Sequence, residues 1–119
     1  MTYTNTYLTI TRGTAVPLTI KTSDLGDLTD GWEITFTMRT SITSEGNPLF
    51  QCKSDDLIHM NVQENKITVN LYETESWSIP ADARIVYVQL TFKKLVEVVA
   101  SKIYCITILP TLLKTETPR

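Results

Sequence analysis

The stretch Trp32-Glu33-Ile34-Thr35-Phe36-Thr37-Met38-Arg39 alternates apolar and polar residues without a slip. Successive side chains of a strand point to opposite faces, so Trp32, Ile34, Phe36 and Met38 share one face. Glu33, Thr35, Thr37 and Arg39 share the other. The pattern predicts a strand with one face on a core and one in water, the usual condition of an antiparallel sheet.

The same reading extends toward the N-terminus. Thr22 to Gly31 is a polar loop. Before it, Ala15 to Lys21 places Val16, Leu18 and Ile20 on one face. Pro17 cannot donate to a ladder, which predicts an edge strand or a bulge. Thr6 to Thr11 is a further strand, broken by Arg12-Gly13.

Toward the C-terminus, Ser44-Glu45-Gly46-Asn47-Pro48 is a turn cluster. Leu49 to Lys53 and Leu57 to Val62 read as strands, and Gln63 to Lys66 turns the second back into Ile67 to Tyr72. Glu73 to Trp77 reads as one helical turn, ended before Pro80. Arg84 to Phe92 has apolar residues on both faces, which predicts a central strand. Lys93-Lys94 begins a turn, and Val98 to Leu109 returns as the last strand.

The chain is thus expected to be all-β, a sandwich of about seven to nine strands with one short helical turn near residues 73–77. Residues 1–110 are expected to form one domain, and residues 111–119 a C-terminal tail, mobile or docked on a neighbour. Length and composition agree: 119 residues suit one domain, with 42% hydrophobic and 20% charged residues. Twenty threonines fit a pleated surface.

A net charge of −2 leaves no clustered Lys and Arg for phosphates, so neither nucleic acid nor an anionic membrane is an expected partner. The opening Met1-Thr2-Tyr3-Thr4-Asn5-Thr6 has no basic or apolar region of a secretory leader. Synthesis and initial residence in the producing cell's cytoplasm are therefore expected. Two cysteines, Cys52 and Cys105, are too few for a disulfide framework, and both are expected as free buried thiols. A disulfide would require their strands to lie side by side.

Each chemical motif has a commoner structural reading. His59 is the sole histidine and lies in a strand-like segment without the further ligands a metal site needs. It could serve Cys52 as a base, but no nucleophile elbow or oxyanion loop accompanies them. Asp24, Asp27 and Asp30 invite a calcium reading, yet their spacing of three departs from the EF-hand spacing of two. Turn chemistry accounts for them and for Asp55-Asp56. Glu73 and Glu75 read as solvated turn residues. Four glycines, at 13, 26, 31 and 46, draw no phosphate loop. No catalytic residue, metal or cofactor is expected. Trp32 and Trp77 could stack on sugars, with core packing the commoner role.

The segment order carries a resemblance. Ile10-Thr11-Arg12-Gly13 leads to Asp27-Leu28-Thr29-Asp30-Gly31 and then to Ile34-Thr35-Phe36-Thr37-Met38-Arg39. Pro48 to Lys53, the hairpin strand Lys66 to Leu71 and Val86-Tyr87-Val88-Gln89-Leu90-Thr91 follow, and Ile106 to Pro110 closes the series. Over roughly residues 8 to 110 this resembles the small immunoglobulin-like domains of tailed-bacteriophage structural proteins, similar to the N-terminal domain of the baseplate upper protein. Asp30-Gly31 stands where relatives carry Leu-Thr-Gly, and Lys93 to Val96 lacks their Asp-Gly turn.

The resemblance implies an immunoglobulin-like antiparallel sandwich in a non-enzymatic virion protein. A tail, baseplate or neck component is expected in preference to capsid decoration. Its partners would be other phage structural proteins, in a homo- or hetero-oligomeric symmetric assembly. The candidate interaction residues are Leu112, Leu113 and Lys114 of the tail, with Tyr72 and Trp77. The alternative is a carbohydrate- or receptor-binding module.

Overall fold

The structure is a computed structural model that describes residues 8–22, 25–42, 46–101 and 103–110. Its elements run β1 (Leu8–Thr11), β2 (Val16–Lys21), β3 (Glu33–Arg39), β4 (Phe50–Lys53), β5 (Met60–Val62) and β6 (Lys66–Leu71). After them come α1 (Glu73–Trp77), β7 (Ile85–Lys94), β8 (Glu97–Ala100) and β9 (Tyr104–Leu109). One sheet has the order β1-β9-β7-β3-β4, with β8 also paired to β7; the other has the order β2-β6-β5. The two sheets form an immunoglobulin-like sandwich.

The alternation that announced β3 is what makes its core. Ile34, Phe36 and Met38 are buried, while Glu33, Thr35, Thr37 and Arg39 lie on the outer face. The register Phe36↔Leu90 and Ile34↔Phe92 sets the buried side chains of β7 beside them. Ile106 and Ile108 of β9 continue that layer, and Leu18, Ile20, Ile67, Val69 and Leu71 face it from the smaller sheet. Leu28 and Ile79 are buried within the same cluster. Truncating Phe36 to alanine at the centre of that layer would cost roughly 3–5 kcal/mol.

Pro17 sits on β2, an edge strand, where its missing N–H costs no ladder bond. β7 is central, with β3 on one side and β9 and β8 on the other. Four details differ from the sequence expectation. The pairing is not wholly antiparallel, because β1 runs parallel to β9 with Leu8 opposite Ile106. The expected strand Leu57 to Val62 is reduced to Met60–Val62. Asp56 Oδ1 accepts the N–H groups of Ile58 and His59, and its carbonyl accepts that of Met60. This local turn competes with the strand and wins.

β7 runs on through Lys93 and Lys94, so the turn is Leu95-Val96 rather than a loop beginning at Lys93. Finally, the last strand is broken in two. β8 pairs with the end of β7 and β9 with its start, and Ser101 sits in the gap. Ser101 N–H donates to the Leu90 carbonyl at 2.8 Å, and the Leu90 N–H donates to Ser101 Oγ at 2.9 Å. One small side chain thereby keeps β7 hydrogen-bonded where its neighbour kinks away.

Candidate functional site

Three places bring chemistry-bearing side chains together, and the first is built on α1. Gly13, in the turn after β1, has φ +89°, and a Cβ there would collide with the Trp77 ring. Its N–H donates to Ser76 Oγ at 2.7 Å. The Arg12 guanidinium lies 4.8 Å from the centre of the Trp77 ring and donates to the Ile79 and Trp77 carbonyls. Trp77 Nε1 donates to Glu73 Oε1 at 3.3 Å. Arg12 and Gly13 therefore both pack against the Trp77 ring.

The second place lies between α1 and the turn before β5. His59 Nδ1 is 2.8 Å from Asp56 Oδ2, and Nε2 is 3.0 Å from Glu75 Oε1. Phe50 and Tyr72 flank the ring, with centroids at 5.1 and 5.4 Å. Glu75 Oε1 also accepts the Tyr72 N–H, and Tyr72 Oη donates to the Ile58 carbonyl. Each imidazole nitrogen faces a carboxylate oxygen, so both are satisfied together only as donors, in the imidazolium form. Burial alone pulls the His59 pKa down. The hydrogen bonds to Asp56 and Glu75 outweigh it and hold the pKa above its ordinary value. Asp56 is held below the usual carboxylate range by its bond to His59.

This arrangement leaves no ring nitrogen to deprotonate Cys52. Burial, together with the negative charges of Asp56 and Glu75, pushes that thiol up to about 12, so it stays protonated and unreactive at neutral pH. Cys105 departs from expectation: it is free but exposed, because it falls on the outer face of β9. β7 and β3 separate β9 from β4, so the strands of the two cysteines are not neighbours. Glu75 is half-buried in the His59 cluster rather than a solvated turn residue.

The acidic loop is explained by local bonds. Asp27 Oδ1 accepts the Thr29 N–H and hydroxyl at 2.9 and 2.6 Å, which lowers its pKa. Asp30 pairs with Lys94 at 3.4 Å. Asp24 lies outside the described residues. Among the described residues, no group of three His, Cys, Asp or Glu side chains is placed to hold a metal ion.

The third place was not singled out in the sequence. On the outer face of β4-β3-β7, Thr37, Arg39, Gln51, Tyr87 and Gln89 line a shallow groove of about 190 Å³, walled by Ile42 and Ile103. Gln51 opposes Thr37 across β4-β3, and Gln89 opposes Thr37 across β7-β3. Only the pairing of three strands assembles this set, so no sequence motif marks it.

Of the expected interaction residues, Tyr72 and Trp77 both border α1, and Tyr72 is the more exposed. Leu112, Leu113 and Lys114, with the tail that carries them, lie outside the described residues. A scan of protein-family models finds no match to the chain, and a search of curated proteins finds none either. No helix among the described residues is long and apolar enough to cross a membrane.

Proposed function

We propose that the chain is a non-enzymatic assembly module, used as a structural component of a tailed-bacteriophage particle in its tail, baseplate or neck. The observation that carries the non-enzymatic half is the His59 cluster. The one histidine has both nitrogens bound to carboxylates, and the nearby thiol is held protonated. These residues lock a loop onto a helical turn. The assembly half rests on the exposed strand edge and apolar turn at the far end of β7, together with the resemblance over residues 8 to 110. Particle location and phage origin rest on the resemblance alone.

The test is to tag the chain in its phage and examine purified particles by mass spectrometry and cryo-microscopy. Stoichiometric copies at a fixed position are expected. Intact, infectious particles without the chain would overturn the proposal.

The groove at Arg39, Gln51, Tyr87 and Gln89 supports a second reading, a carbohydrate- or receptor-binding module. Its hydrogen-bonding floor between apolar walls has room for about one sugar ring or one peptide side chain. Glycan-array binding lost on Gln89→Ala, and kept on Trp77→Phe, is the pattern that reading requires.

A further inference from the structure

The outer edge of β8 differs from the other sheet edges. β2 carries Pro17, β5 has three residues, and β4 ends in Lys53. The Thr11 carbonyl at the end of β1 is taken by the Thr14 N–H and hydroxyl. Each of these blunts strand addition. β8 is Glu97-Val98-Val99-Ala100, whose one charge stands at its first residue, leaving Val98 to Ala100 without proline, charge or bulge. Among the described residues it pairs with β7 alone.

The turn joining the two strands is equally unprotected. Leu95 and Val96 are 87% and 98% exposed, and Val98 is 61% exposed. Leu95 holds φ +56°, a conformation that a two-residue hairpin normally gives to Asn, Asp or Gly. An exposed apolar side chain in a left-handed position serves neither solubility nor stability.

The direction of the free backbone groups follows from the ladder. Lys94 opposes Glu97 across the two-residue turn, and bonding alternates along an antiparallel pair. The Ser101 N–H bond to the Leu90 carbonyl keeps that alternation in step. The N–H and C=O groups of Val98 and Ala100 therefore point away from β7.

We propose that this edge pairs with the same edge of a second copy, in an antiparallel two-fold contact centred on Val99. The proposal rests on the assembly reading above and names its first partner. Self-complementarity singles out a second copy. Two-fold symmetry about Val99 sets Val98 opposite Ala100 of the other copy, so the outward-pointing groups of each edge meet. The same pairing brings the exposed Leu95-Val96 turn of each hairpin to the flank of the paired edges. The contact joins two six-stranded sheets into one continuous sheet and covers the apolar turns. An edge this short buries less than a standard interface, so association is reversible, with Kd of about 1–100 µM.

Sedimentation velocity on the full chain tests the pairing. The 13.5 kDa species is expected to approach twice its mass as the protomer concentration rises to about 100 µM. Val98→Lys puts a charge on the edge and is expected to raise Kd at least about tenfold, about 1.4 kcal/mol. Leu95→Asn with Val96→Gly keeps a favourable turn, so it folds, and it removes the apolar side chains beside the paired edge, weakening the dimer. Amide exchange supplies a positional readout: Val98 and Ala100 should gain protection with concentration, and Phe50 to Lys53 of β4 should not.

A wild-type chain monomeric at about 100 µM overturns the pairing. So does a dimer indifferent to both variants, or one whose new protection lies elsewhere. None of these results touches the particle experiment, which does not require self-association, so the two proposals fail separately.

Discussion

The α1 clasp and the β7–β8 hairpin lie at opposite ends of β7 and treat their apolar side chains in opposite ways. At the clasp, Trp77 is covered by Arg12 and Gly13, and its N–H is answered by Glu73. At the hairpin, Leu95 and Val96 stand in water, and among the described residues the one non-glycine residue with positive φ is Leu95. The first end spends its special conformation on closing the sandwich, with glycine where glycine is required. The second carries a similar conformation on a residue ill suited to it and leaves that side chain 87% exposed. Stability explains the clasp and does not explain the hairpin, which is why assembly is sought there.

The largest expected effect breaks the closed end. Gly13→Val adds a branched side chain where the Trp77 ring already sits, in a backbone conformation that valine resists. A loss of about 3 kcal/mol is expected, from overpacking and left-handed strain together. Chemical denaturation should show it as a lower midpoint with an unchanged slope. A variant as stable as the wild type would mean that the clasp does not hold β1 to α1.

The middle of β7 is next. Ser101→Ala removes the acceptor of a buried Leu90 N–H and should cost about 2 kcal/mol, the penalty of an orphaned buried donor. Hydrogen exchange should place the loss at Leu90 and β8 before the rest of the larger sheet. Global loosening instead would mean that the kink is not locally supported.

The His59 cluster predicts a pH profile whose sign follows from its two shifts. The His59 pKa is raised above 6.5 in the folded state. Its contribution is therefore complete below 6.5 and is lost as pH rises through the folded value. The Asp56 pKa is lowered below 3.8, so its contribution is present above that value and is lost as pH falls through the folded one. The Glu75 carboxylate and the protonated Cys52 also face the cluster. The cluster thus stabilises most between about pH 4 and 6.5. Thermal melts of the wild type should fall from pH 6 to pH 8 more steeply than those of His59→Gln. Parallel profiles would mean that His59 is not held as an imidazolium.

Most of the sandwich was legible because strand alternation and burial are the same fact read twice. β3 declared its inner face through Ile34, Phe36 and Met38, and β7 declared its central place by having apolar residues on both faces. What was not legible depends on competition or on assembly. Asp56 captures two backbone N–H groups and shortens the strand before Met60. Ser101 breaks the last strand because one hydroxyl can replace a ladder bond. The parallel pairing of β1 leaves no trace in local alternation. The His59 cluster joins residues 16 positions apart in sequence, and the outer groove joins three strands, so neither forms a motif. The hairpin tip from Lys93 to Val96, where the sequence has no Asp-Gly turn, is the place where Leu95 and Val96 stand exposed.

The smallest effect sharpens the comparison by reversing its sign. Leu95→Gly relieves a left-handed leucine, which gains about 1–2 kcal/mol, and adds unfolded-state entropy, which takes back about 0.5–1 kcal/mol. A net gain of about 0.5–1 kcal/mol is expected. The melt must be run well below the concentration at which copies associate, since a dimer contact would add its own stabilisation to the wild type. Under those conditions a single glycine should strengthen the fold at the hairpin, where a single valine at Gly13 wrecks it. If Leu95→Gly instead destabilises the dilute monomer, Leu95 contributes to the folded chain itself. The hairpin would then be a second clasp, and the reason for seeking a partner at β8 would be gone.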